Sequence, residues 1–319
     1  MYKCGAFEPF HWSHGQKVLI LTYHRFGREK HPAKVSAAEF EAHLKYLKDH
    51  NSVISLDEMV KHLHGGIPMP RNAAVITIDD GYADAYEIAF PLLKKYGFPA
   101  TVYAITDFLD GKCWLWTDLM RYVMLRTEAD AVRVDCGPNE RFESELNDER
   151  KRLELAGRIN SRLKKLPNKK KDAKLKEIAA AFNVNVPAIP PPEYAPLSWE
   201  NACEMDADNV RIESHTVTHP VLTNVGQASL DFEMQSSKKR LEEVLGRRVD
   251  HFCYPNGSLD QSVRKAAENA GYRTAVTTSY GFNDPTTNQY LMHRIDAQPA
   301  IENFAQSASG FEAARQKIF

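Results

Sequence analysis

Short apolar runs alternate with amphipathic segments along most of this chain. "KVLILTYH" (17–24) is apolar and β-branched and predicts a strand ending at His24. "SAAEFEAHLKYLKDH" (36–50) carries apolar residues at helical spacing, with Ser36 as N-cap and Glu39 three residues on, the two halves of a capping box. "SLDEMVKHLHGG" predicts a second short helix, the run 74–78 a strand, "YADAYEIAFPLLKKYG" a helix stopped by Gly97, and "PATVYAIT" (99–106) another strand. The same alternation returns later. "SWENACEMD", "SLDFEMQSSKKRLEEVLG" and "LDQSVRKAAENAG" predict helices, while "VRIESH", "HFC", "YRTAVTT" and "YLMHRIDA" (290–297) predict strands. Strands alternating with helices imply βαβ units around a parallel sheet.

The middle breaks the rhythm. Residues 140–181 are charge-dense with helical periodicity, and "VPAIPPPEYAP" (186–196) is a proline-rich, extended connector. Residues 112–196 therefore read as a helical insertion, a lid or docking surface, whose lysine run "KKLPNKKKDAK" is expected to be a solvated face. The formal net charge is −1, so no global field draws the chain to nucleic acid or an anionic membrane. No apolar stretch reaches the roughly 20 residues of a membrane helix. The N-terminus lacks the basic start and apolar core of a signal peptide, so a cytoplasmic location is expected. Five scattered cysteines without a CxxC pair argue for reduced thiols rather than a disulfide framework or a cysteine zinc site.

Two stretches carry chemistry. In "ITIDDGYADAY" (76–86) Asp79 and Asp80 end an apolar strand, two adjacent like charges that repel one another and resist burial. In "SHTVTHP" (214–220) His215 and His219 are four apart, a spacing that puts both imidazoles on one face of a helical turn. The histidines follow "VRIE", so both stretches sit at the C-terminal ends of strands, the edge that holds active sites in barrels and open α/β sheets. Two imidazoles and a carboxylate form a facial metal set with open positions. Between the histidines stand only Thr216, Val217 and Thr218, so a hydrolase built here borrows its base from the aspartate doublet. A divalent charge would also offset the repulsion within that doublet.

These residues resemble the polysaccharide deacetylases, the NodB-type carbohydrate esterases. Thr77-Ile78-Asp79-Asp80-Gly81 is similar to their T-F-D-D-G motif, His215-Thr216-Val217-Thr218-His219 to H-[ST]-x-x-H, and "FCYPNG" (252–257) to their third motif. The resemblance covers roughly residues 17–110 and 197–297. It implies an α/β fold, a distorted (β/α) barrel with a helical insertion, spanning 1–319 as one domain. It implies Asp79 as general base, Asp80, His215 and His219 as ligands of a divalent metal, and the Asn256 backbone N–H as an oxyanion donor. Zinc is the first expectation for that metal; cobalt, nickel and manganese also tolerate a His₂Asp set. The implied substrate is an N-acetylated carbohydrate, polymeric or oligomeric, with loss of the acetyl group.

Two departures matter. The family's third-motif arginine, which orients the base, is Cys253 here, and Arg294 in the last strand is expected to replace it. The family's acid histidine in L-x-H matches Leu291-Met292-His293, yet period-two alternation puts His293 and Arg294 on opposite faces. His24, at the end of the first strand, is a rival acid. Other readings stay open at this stage: hydrolysis of a non-sugar amide, a non-catalytic carbohydrate-binding barrel, or histidines that bind nothing. Oligomeric state is not legible.

Overall fold

A computed structural model describes residues 17–135 and 141–311. Among them seven parallel strands close a barrel: β1 (Leu19–Tyr23), β2 (Ala73–Ile78), β3 (Ala100–Ala104), β4 (Val210–Ser214), β5 (His251–Cys253), β6 (Thr274–Tyr280) and β7 (Met292–Asp296). Neighbours follow chain order. Closure comes from β1, which pairs in parallel with β2 on one edge (Leu21 opposite Ile76) and β7 on the other (Leu21 opposite Ile295). Every residue of β1, β2 and β3 is buried, as the continuous apolar runs require of strands covered on both faces.

Helices α1 (Ala37–His50), α2 (Leu56–His64) and α3 (Phe90–Tyr96) alternate with the first strands. Ser36 with Glu39 and Ser55 with Glu58 form complete capping boxes, and Gly97 ends α3 in the left-handed conformation. A π-helical turn, Ala85–Ala89, precedes α3. Helices α4 (Trp116–Arg126), α5 (Glu149–Leu163) and α6 (Asn168–Ala181) follow β3, and α7 (Trp199–Ala207), α8 (Gln227–Leu245), α9 (Gln261–Asn269) and α10 (Ile301–Ala308) resume the alternation. Helices α4, α5 and α6 pack around their own apolar cluster, with Met120, Val123, Leu155, Ile159 and Ile178 at its centre, separate from the barrel core.

Three expectations are corrected. Residues 141–145 are not helical; Arg141–Glu145 pairs antiparallel with Ala131–Asp135 in a hairpin. The alternation in "AVRVD" explains it, because Val132 and Val134 turn inward to the insertion core while the charged residues face water. The lysine run is not wholly solvated: Lys171 is buried, 4% exposed. Residues 215–219 are not a helical turn. Thr216 and His219 both take positive φ (72° and 56°), so the two imidazoles are brought together by a folded loop.

Side chains hold that loop in place of a helix. The Thr216 hydroxyl accepts the His219 N–H at 3.0 Å, and the Thr216 and Val217 carbonyls accept the N–H groups of Thr106 and Asp107 after β3. From α8, the Glu233 carboxylate accepts the N–H groups of Val217 (2.8 Å) and Thr218 (2.9 Å) and the Thr218 hydroxyl (2.5 Å). Nothing in the sequence pattern marks Glu233, which sits on an amphipathic helix like its neighbours. Truncation strands the Val217 and Thr218 N–H groups and frees the Thr218 hydroxyl, so Glu233→Ala is expected to destabilise the fold by about 2–6 kcal/mol, at ~1–3 kcal/mol for each of the two N–H groups. Glu233→Gln, which keeps one acceptor oxygen, should lose markedly less. Urea unfolding of both variants checks the difference.

Candidate active site

The doublet sits where β2 leaves the barrel core. Asp79 continues the sheet, its N–H bonded to the Tyr23 carbonyl at 2.8 Å. Asp80 and Gly81 then adopt left-handed φ (75° and 81°), and a Cβ on Gly81 would meet Leu109 at 3.0 Å. This turn is what separates two adjacent acids. Asp79 and Asp80 are both buried, and each finds its own counter-charge.

Asp79 belongs to Arg294. The guanidinium donates Nη1 to Oδ1 and Nη2 to Oδ2, both at 2.8 Å, a bidentate fork inside the barrel. Arg294 is itself fixed by Nε to the Thr277 carbonyl (2.9 Å) and by Nη1 to the Thr77 hydroxyl (3.3 Å), which in turn donates to the Leu21 carbonyl. The Cys253 thiol completes the nest, 3.5 Å from Asp79 Oδ2 and accepting Arg294 Nη2 at 3.2 Å. Burial pushes the Asp79 carboxyl up, but the charge and hydrogen bonds of Arg294 outweigh it and hold the group below the usual carboxylate range.

Asp80 belongs to the imidazoles. His215 Nε2 and His219 Nε2 lie 3.5 and 3.6 Å from Asp80 Oδ1, and the two rings are 4.8 Å apart between centroids. His215 Nδ1 is 2.7 Å from the Cys253 carbonyl, which only accepts, so Nδ1 carries the hydrogen and Nε2 points at Asp80. Burial above all pushes His219 down to about 3, which keeps its ring neutral.

The fit to a metal follows from this donor set. Ligand atoms of Asp80, His215 and His219 all lie within 4.8 Å of one another. Asp79, His215 and Cys253 also fall within that span, but there the Arg294 guanidinium already neutralises the carboxylate and burial pushes the Cys253 thiol up. The Asp80 set is thus the one able to hold a divalent cation.

The remaining candidates divide. His24 lies just past β1 with Nε2 3.8 Å from Asp79 Oδ2 and its side chain 52% exposed, at the mouth of the site. Asn256 follows β5 in a tight turn with φ 57°, and the next residue must be glycine, because a Cβ there would meet the Thr278 hydroxyl at 2.0 Å. His293 is not brought to the cluster. Its neighbour Arg294 points inward, so His293 faces the other side of β7, where its ring stands 3.4 Å from the Cβ position of Gly281. Trp199 and Trp114 are held by indole hydrogen bonds to Asp110 and the Pro187 carbonyl. Of the five cysteines, Cys113, Cys203 and Cys253 are free thiols, and Cys4 and Cys136 lie outside the described residues. Among the described residues no helix is long and apolar enough to cross a membrane.

Comparison with known proteins agrees with this architecture. The chain is 24% identical over 293 residues to Bacillus subtilis YxkH, whose name places it with the polysaccharide deacetylases, covering 92% of this chain and 75% of that protein. A poly-β-1,6-N-acetyl-D-glucosamine N-deacetylase of Staphylococcus aureus is 38% identical over 105 residues, 28% of this chain and 36% of its own length. In fold, the chain resembles the Streptococcus pyogenes deacetylase PplD (TM-score 0.62, 20% identity, covering 92% of this chain and 99% of that one). It is likewise similar to IcaB from Ammonifex degensii (TM-score 0.61, 18% identity, 92% and 98%). The polysaccharide deacetylase family model matches residues 66–187 and 191–275, well over half of the sequence, and the chain belongs to the polysaccharide deacetylase family.

Proposed function

We propose that this protein is a metal-dependent hydrolase that removes N-acetyl groups from an amino sugar within a polysaccharide or oligosaccharide. The observation that carries the reading is the split doublet: Asp80 faces two imidazoles while Asp79, beside it, is held ionised by a dedicated arginine. A pure binding protein has no use for a second, separately charged acid at that position. The family membership and the poly-N-acetylglucosamine deacetylase among the relatives support the same substrate class. On this reading 1–319 is one barrel domain and 112–196 its insertion.

Asp80, His215 and His219 would hold the divalent ion, zinc by preference. When bound, it supplies a Lewis acid for the acetamide carbonyl and for the attacking water. Asp79 takes a proton from that water as its oxygen adds to the carbonyl carbon. The Asn256 N–H bonds the developing oxyanion, a contact typically worth ~3 kcal/mol. His24, half-exposed beside Asp79, gives a proton to the departing nitrogen, the C–N bond breaks, and acetate and a free amine leave. His293, on the far side of β7, takes no part. Arg294 orients Asp79 without touching substrate. The free thiols fit a reducing compartment, and a cytoplasmic sugar precursor is the substrate that reading favours.

Three outcomes are expected. Wild-type protein loaded with zinc releases amine from N-acetylglucosamine oligomers, and Asp79→Asn lowers the rate at least ~100-fold, the scale of a lost general base, while retaining metal. Amine release undiminished in Asp79→Asn, or none from wild type that still binds sugar, sinks the mechanism. His215→Ala should fail to retain metal by elemental analysis. Arg294→Met removes the group that holds the Asp79 pKa down, so the acidic limb of the pH–rate profile should move to higher pH. The same variant leaves a buried carboxylate unpaired and should cost ~3–5 kcal/mol of stability. An unmoved limb refutes the positioning role.

A further inference from the structure

The insertion reaches the segment that follows His219. The loop joining α5 to α6 is clasped onto the segment after His219: Asn224 Nδ2 donates to the carbonyls of Lys164 (3.1 Å) and Leu166 (3.0 Å). Asn168 exchanges hydrogen bonds with the backbone of Val221, donating to its carbonyl at 3.4 Å and accepting its N–H at 3.3 Å. One helical turn further, Lys171 is buried at the barrel-facing end of α6, its Nζ 4.6 Å from the centre of the Trp116 ring. Its carboxylate contact is Asp172 at 3.2 Å, on a side chain that is 59% exposed.

A buried ammonium with so little compensation is costly, and such groups collect at functional sites. Burial lowers the Lys171 pKa, and its charge in turn acts on His219. Lys164 is lowered by burial and by the like charge of Arg121, and Arg121 feels the carboxylates of Asp118 and Asp80. Asp118 is already committed to Arg121 and to the Tyr82 hydroxyl. Beside this cluster the Trp116 Nε1–H is buried with no acceptor among the described residues, and so is His219 Nδ1. The insertion thus gathers buried donors and positive charge, without matching acceptors, one turn along α6 from the Asn168 contact that holds the segment after His219.

We propose that Lys171 and the Trp116 indole N–H, flanked by Lys164, form a subsite for a negatively charged substituent, carboxylate or phosphate, on the glycan whose acetamido group is hydrolysed. This rests on the deacetylase reading above and narrows its substrate to acidic glycans. Lys171 is a specificity-determining residue in this scheme and handles no proton of the reaction.

The test compares three tetrasaccharides of N-acetylglucosamine that share one backbone: neutral, carboxylated at C6 and phosphorylated at C6. Wild-type enzyme should favour an acidic form by about tenfold in kcat/KM, the size of one charge-assisted hydrogen bond, with the gain in KM. Whichever acidic form wins identifies the anion. Lys171→Met should bring the three within about twofold of one another, Lys171→Arg should restore preference, and Trp116→Phe should weaken it. Metal content is measured in each variant. Equal kcat/KM for all three in wild type, or a preference that survives Lys171→Met, overturns the subsite while leaving deacetylation intact. Loss of metal in Lys171→Met with the preference unchanged also overturns it, because the lysine would then act through His219. If no tetrasaccharide is hydrolysed, the deacetylase reading fails separately, and calorimetry decides the subsite. Acidic binding that Lys171→Met abolishes upholds it, and equal binding of all three removes it.

Discussion

Two carboxylates on consecutive residues at the dry end of a barrel strand must be given opposite partners, and the rest of the site follows from that requirement. In an extended strand Asp79 and Asp80 would point to opposite faces, one inward and one toward the surrounding helices. The left-handed turn at Asp80 and Gly81 brings Asp80 back over the barrel end, while Asp79 stays on the interior side. The strain of a non-glycine residue at φ 75°, of order 1–3 kcal/mol, is borne where charge placement needs it. Each acid then has its own electrostatic setting. Asp79 faces a permanent cation that cannot be titrated away, and Asp80 faces two imidazole rings.

The origin of that permanent cation illustrates what barrel closure permits. The family-typical arginine would rise from β5, but Cys253 stands there, too short to form a fork. Arg294 comes from β7, 215 positions from Asp79 in sequence, and reaches the same carboxylate because β7 pairs with β1, which pairs with β2. A guanidinium crossing the barrel interior needs space, and a cysteine thiol takes less of it than an arginine side chain. The thiol also contributes, accepting from Arg294 and donating to Asp79. The substitution and the displaced arginine read as one compensated change.

Much of this was legible in the sequence, and the parts that were not share a cause. Strand and helix order, the Ser36–Glu39 capping box, the doublet and the histidine pair are encoded by residues near one another in the chain, where periodicity and capping rules apply. Period-two alternation in the sequence separates Arg294 from His293, and it is the inward-facing residue that meets Asp79. Glu233 was invisible because its partners lie 15 and 16 residues upstream and its helix would look the same with any polar residue there. The loop form of 215–219 was invisible for a related reason, since HxxxH spacing suits a helical turn and only tertiary hydrogen bonds select the alternative. The burial of Lys171 has no signature in the sequence, because a lysine among lysines carries no local sign of burial.

The loop bearing His219 is therefore gripped from two sides with different consequences. Glu233 fixes it to the barrel, through three hydrogen bonds to Val217 and Thr218 just before the histidine. Asn168 and Asn224 fix the segment just after it to the insertion, through hydrogen bonds spanning Lys164 to Val221. An insertion with its own core would otherwise be free to drift on its connectors, as separately packed units do. With the clasp, displacement of α6 is resisted at residues that adjoin His219. The acids and imidazoles stay the property of strand ends, but the insertion cannot shift without the His219 loop registering it.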